Sequence, residues 1–103
     1  MLDNLQVATA VIPAAQRHGV RKLLYLASSC GYPRETAQPM HPRALGTGPL
    51  EPTSAGYATA KLAGLALCQA FRDQFSARFI AGIAGDAFGI GDDFDPATGH
   101  VVP

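Results

Sequence analysis

Tyr57 and Lys61 stand four residues apart in the stretch Ser54-Ala-Gly-Tyr-Ala-Thr-Ala-Lys-Leu-Ala-Gly64. On a helix that spacing puts both side chains on one face, a single turn from each other. An ammonium beside a phenol favours the phenolate. Such a pair could give a proton to, or take one from, an alcohol or sugar oxygen. An interfacial tyrosine beside a solvated lysine would show the same spacing. Lys22 and Lys61 are the only lysines among the 103 residues, so a lysine-rich background did not supply the pair.

A second group with reactive side chains is Ser28-Ser29-Cys30. It directly follows an apolar run at residues 22–27. That run reads as a strand of a parallel sheet buried on both faces. The carboxyl end of such a strand is where open α/β sheets place ligands. Turn-forming serines occupy the same positions for purely structural reasons. Cys68, the only other cysteine, falls on an apolar helical stripe and reads as core. His18 closes a helical pattern just before Gly19, where a cation suits the helix dipole, and reads as structural.

The elements that must position these groups follow from periodicity. Residues 3–18 repeat Leu5, Ala8, Ile12 and Ala15 at helical spacing, with Asp3 or Asn4 as cap and Pro13 as a kink or a lost backbone bond. Residues 31–55 hold eight glycines and prolines and no period, which predicts a long ordered loop. In it His41 and Arg43 read as solvated. A second helix runs from the region of Tyr57 to about Phe75, with Thr53 or Ser54 as cap. Its apolar residues form two stripes, one through Ala60, Gly64, Leu67, Cys68, Phe71 and Phe75 and one through Leu62, Leu65 and Ala66. Burial against both the sheet and a second subunit would account for them. Residues 78–83 predict a second strand. Asp92, Asp93 and Asp95 follow it without the glycine and glutamate of a calcium loop, so no metal is expected there.

Composition bounds the rest. A chain of 103 residues is at most one domain, and eight basic and eight acidic side chains cancel. Nothing in that balance suggests nucleic acid or an anionic membrane surface. No apolar run is long enough to span a bilayer, and no signal-peptide pattern opens the chain, so a cytoplasmic setting is the default expectation. Two cysteines make neither a disulfide framework nor a metal quartet.

The order of these features resembles the extended short-chain dehydrogenase/reductase family, in its nucleotide-sugar epimerase-reductase branch. The match is carried by Lys22-Leu-Leu-Tyr-Leu-Ala-Ser-Ser-Cys30, Tyr32-Pro33, Gln38-Pro39-Met40, Leu50-Glu-Pro52, Tyr57-Ala-Thr-Ala-Lys-Leu-Ala-Gly64, Asp92-Asp93-Phe94 and His100-Val-Val-Pro103. The resemblance implies a central piece, residues 1–103, of an NAD(P)-binding Rossmann-type domain. The fold class is then α/β, part of a doubly wound parallel sheet, with about two strands, two long helices and a long ordered loop. It implies NADPH as cofactor, a GDP-sugar as substrate and a homodimer as assembly. It assigns Ser28, Cys30, Tyr57, Lys61 and His100 to catalysis. Tyr57 would protonate the C4 oxygen during ketone reduction, with Lys61 and Ser28 assisting, and Cys30 with His100 would epimerise C3 and C5. Cofactor contacts would come from Leu26, Ala27, Ser28, Ser29, Tyr57, Lys61, Ala84, Gly85, Asp86, Ala87 and His100.

Three departures stand beside the match. Gly31 replaces a bulkier family residue, Ala84-Gly85-Asp86 replaces a more usual Pro-Thr-Asn, and the 103 residues contain no glycine-rich pyrophosphate-binding motif. They imply a segment lacking both the first strand-turn-helix unit and the region that grips the sugar nucleotide. The alternatives are another NAD(P)-dependent nucleotide-sugar epimerase, dehydratase or reductase, and a non-catalytic oligomerisation or binding module.

Overall fold

A computed structural model describes residues 1–85 and 87–99. Helix α1 covers Leu2–Arg17 and helix α2 Ala55–Phe75, with strand β1 at Leu23–Ser28 and strand β2 at Phe79–Ala84. Single 3-10 turns at Ser29–Gly31 and Pro42–Ala44 punctuate the connection between β1 and α2. The strands pair in parallel, Leu23 against Phe79 through Ser28 against Ala84. Parallel pairing demands a long crossover, and the loop plus α2 provide it.

Helix α1 begins without help from Asp3 or Asn4. Met1 is its N-cap, no side chain caps it, and Asp3 instead faces the positive end of the dipole from the first turn. The helix continues through Pro13, held by the burial of Ile12 and Ala15 on either side. It ends where expected. Gly19 takes φ +65°, and Val20 N–H reaches back to the Ala15 carbonyl at 2.9 Å. Ser54 is the N-cap of α2 through its backbone, its carbonyl accepting from Ala58 N–H at 2.9 Å, and its side chain makes no capping bond.

Ala8, Ile12 and Ala15 of α1, Cys68 of α2 and Phe79 of β2 form the buried core, with Leu23, Tyr25, Leu67 and Phe71 packed around them. The Phe71 ring stacks on Phe79 at 6.2 Å between centroids. Strand alternation sends Leu23, Tyr25 and Ala27 toward this core. The other face of the sheet is not buried: Leu24 is 60% exposed, Leu26 56% and Ile80 55%. That corrects the expectation of strands covered on both sides. Both helices contribute to one core on one side of the sheet, so the apolar run of β1 is matched by cover on only half its residues.

The connection is ordered by backbone bonds. Gly46 N–H donates to the Gly31 carbonyl at 3.0 Å, and Arg34 N–H to Pro49 at 2.9 Å. A Cβ at Gly31 would lie 3.0 Å from both Leu45 and Leu62 side chains, so those two residues fill the space beside it. Leu62, from the second apolar stripe of α2, therefore packs on the loop of its own chain. His41 caps the Pro42–Ala44 turn, its Nδ1 accepting from Arg43 N–H at 3.2 Å.

One-sided burial makes a quantitative contrast. In urea titrations of the chain, Phe79→Ala is expected to cost about 3–5 kcal/mol, whereas Leu24→Ala on the open face should cost less than about 1 kcal/mol. Equal losses would show that the open face is covered in solution.

Candidate active site

The carboxyl end of β1 carries the first group. Ser28 is its last residue, still extended at φ −135° and ψ 146°, and its Oγ accepts from Cys30 N–H at 3.3 Å. The bond turns the chain sharply into the Ser29–Gly31 turn and leaves the half-buried Cys30 beside the strand end. Serine suits that position because its hydroxyl can accept this bond and still donate one to a ligand.

Helix α2 brings the second group to the same place, because it packs against both β1 and the Ser29–Gly31 turn. Tyr57 lies in its first turn and is 39% exposed, open to a ligand. Lys61, one turn on, donates from Nζ to the Leu26 carbonyl of β1 at 3.0 Å. The ammonium also sits 5.6 Å from the ring centroid of Tyr57 and 5.6 Å from that of Tyr25. The spacing in the sequence promised the Tyr57 contact. The Leu26 and Tyr25 contacts join residues more than thirty positions apart, which no local pattern reveals.

Tyr25 faces α2 at the point where the helix has Gly64. A Cβ there would collide with the Tyr25 ring and hydroxyl. Gly64 is thus what lets the phenol lie across the helix, and the two residues form a lock beneath Lys61. Burial pushes the Tyr25 pKa up from its usual value, with Cys68 and Tyr57 adding in the same direction, so the phenol stays neutral at neutral pH. Sequence reasoning missed Tyr25. The alternation of β1, which puts it on the helix side with Leu23 and Ala27, was the available signal.

The expected cofactor segments meet at the same end of the sheet. Ser28 of β1 lies in register with Ala84 of β2, and Leu26 and Ala27 with Gly82 and Ile83; Ala84, Gly85 and Ala87 are exposed. Asp86 and His100 lie outside the described residues. Cys68 is buried in the core as expected, and burial raises its thiol pKa. The aspartates beyond β2 bond one another's backbone: Asp95 N–H donates to Asp93 Oδ1 at 3.0 Å and Ala97 N–H to Asp95 Oδ1 at 2.8 Å. Together with the Thr98 hydroxyl, the first of these holds the Asp93 carboxyl below its usual pKa. Among the described residues no helix is long and apolar enough to cross a membrane.

Comparison with known proteins agrees with this arrangement. All of residues 1–103 match the NAD dependent epimerase/dehydratase family. A GDP-L-fucose synthase of Sinorhizobium fredii is 51% identical over 98% of this chain, and a putative GDP-L-fucose synthase 2 of Arabidopsis thaliana is 50% identical over 97%. The chain spans about a third of these relatives, 32% and 30% of their lengths. Among solved structures it is similar to MlghC, a GDP-mannoheptose C4 reductase from Campylobacter jejuni with NADP bound. The TM-score is 0.88 at 28% identity, over 95% of this chain and 29% of that one.

The two thiols differ enough to test the placement. Brief alkylation with iodoacetamide at pH 8 is expected to modify Cys30 at least about tenfold faster than the buried, pKa-raised Cys68, by peptide mass mapping. Equal rates would contradict the core position of Cys68.

Proposed function

The chain belongs to the NAD dependent epimerase/dehydratase family, and we propose that it is the catalytic middle of an NADPH-dependent epimerase-reductase converting GDP-4-keto-6-deoxymannose to GDP-L-fucose. The observation that carries this reading is the Lys61 ammonium, fixed on the Leu26 carbonyl and facing Tyr57 at the strand end that bears Ser28 and Cys30. The high identity to GDP-L-fucose synthases supports the choice of sugar.

The site suits the nicotinamide end of a dinucleotide. Lys61 spends one of its three N–H donors on Leu26, which leaves two for ribose hydroxyls. The ends of β1 and β2 offer a surface for the ring, exposed at Ala84, Gly85 and Ala87, and we assign Leu26, Ala27, Ser28, Ser29, Asp86 and His100 to the same set. The pyrophosphate cradle is not among these 103 residues, so they would hold that half only.

Epimerisation comes first. C3 and C5 flank the C4 ketone, so their protons are acidic, and Cys30 as thiolate removes them in turn. Negative charge then gathers on the C4 oxygen, where the Ser28 and Tyr57 hydroxyls donate hydrogen bonds. His100 gives its own proton to the carbon from the opposite face, and Cys30 and His100 exchange protons with solvent before the second carbon reacts. When bound, NADPH would supply the hydride needed at C4. Tyr57 gives its proton to the C4 oxygen, and the Lys61 ammonium stabilises the phenolate left behind. Both steps use one ketone held in one place.

A thiolate base requires reduced Cys30, which supports a reducing, cytoplasmic compartment for the enzyme. Val7 and Val11, one turn apart on α1 and both more than half exposed, support a homodimer as its assembly.

A chimera tests the reading. With this chain in place of the matching third of the Sinorhizobium fredii enzyme, GDP-4-keto-6-deoxymannose should be turned over with NADPH consumption. Cys30→Ser should slow solvent-deuterium incorporation at C3 and C5 by at least about 100-fold. A folded chimera that accepts neither this substrate nor its 3-deoxy analogue would overturn the proposal. Preference for the analogue would point to a GDP-colitose synthase type instead.

A further inference from the structure

Lysine is a long, flexible side chain, and a single hydrogen bond leaves its ammonium free to swing. At Lys61 two aromatic rings narrow that freedom, each with its centroid 5.6 Å from Nζ. They are not equivalent. Tyr57 is exposed and must meet the substrate, whereas Tyr25 is anchored by the β1 backbone, packed against the core and seated on Gly64. Its phenol is neutral at neutral pH, so what it offers Lys61 is the negative face of a π system rather than a second charge. The rigid ring is therefore the wall, and the exposed ring is the working part.

We propose that Tyr25 is a positioning residue whose ring, seated on Gly64, holds the Lys61 ammonium against the Leu26 carbonyl and in line with Tyr57. Its consequence for turnover rests on the function proposed above; its consequence for Lys61 does not. The ring carries the role, so phenylalanine should replace tyrosine and leucine should not. Gly64 acts through the same ring. A methyl group at position 64 would drive the phenol off the helix, and Lys61 would lose its wall without any change to Lys61, Tyr57 or the strand end.

Two measurements decide. In the chimera at saturating NADPH, Tyr25→Leu is expected to lower kcat by about 3- to 30-fold, the range between an exposed and a desolvated cation–π contact. KM for the sugar nucleotide should change less than about twofold, because Tyr25 makes no contact with substrate in this scheme. Tyr25→Phe should keep kcat within about twofold of the parent, and Gly64→Ala should match Tyr25→Leu. The double variant should fall no further than either single one, since both remove the same contact. Equal losses in Tyr25→Phe and Tyr25→Leu, a loss confined to KM, or additive losses in the double variant would overturn the assignment.

The second measurement needs no activity. With only Lys22 and Lys61 in the chain, the Lys61 ε-methylene signal is identified by its disappearance in Lys61→Arg. It should be ring-current shifted upfield in the parent and in Tyr25→Phe, and move measurably downfield in Tyr25→Leu, because one of the two rings beside the ammonium is gone. An unchanged shift in Tyr25→Leu would overturn the proposal. If the chimera is inactive with all native residues, the functional reading fails and the Lys61 signal alone decides the role of Tyr25.

Discussion

The bond from Lys61 Nζ to the Leu26 carbonyl ties helix α2 to strand β1 across 35 positions of sequence. It is a charge-assisted bond to a backbone group, so its acceptor cannot move unless the strand moves. Through it the position of the ammonium is referred to the sheet, and that of Tyr57 to the ammonium. The packing of α2 on the Ser29–Gly31 turn then refers Cys30 to the same frame. Chemistry at one ketone by a thiol and a phenol needs such a common reference, because misplacement by about an ångström already costs orders of magnitude in rate.

Small residues make the close approach possible. Ala60 and Gly64, one turn apart, are buried on one face of α2, and Gly64 admits the Tyr25 ring. On the other side of α2, Leu62 meets Gly31 of the loop. The helix is clamped between strand and loop by alternating small and large side chains, the interdigitation that close packing requires. The clamp is one-sided as a whole. Leu24, Leu26 and Ile80 form an open apolar sheet face on a chain that spans a third of its relatives' length.

The sequence displayed what depends on local period and missed what depends on long-range register. Both helices and both strands were legible from apolar spacing, with limits shifted by about one residue, as expected for frayed ends. Gly19 was legible as a helix stop, because a left-handed residue there has few alternatives. Of the helix N-caps, the Ser54 position was legible and Met1 was not, and no side-chain cap forms at either. Asp3, Asn4, Thr53 and Ser54 are all competent caps, and backbone placement left their side chains unused. The Tyr57–Lys61 pair was legible because one helical turn fixes it. Leu26 and Tyr25 were not, since partners on another element become visible only once α2 is docked on β1. The apolar run of β1 says only that its side chains can be buried, and the structure covers half of them.

Proton delivery by Tyr57 to the C4 oxygen is the central claim, and single-turnover hydride transfer measures it most directly. In the chimera premixed with NADPH and sugar nucleotide, the loss of NADPH absorbance should slow by about 100- to 10,000-fold in Tyr57→Phe. Isothermal titration should show NADPH still binding. Hydride transfer at the parent rate in Tyr57→Phe would contradict the account, because the proton would then come from elsewhere and the Lys61 assembly would have no acid to serve.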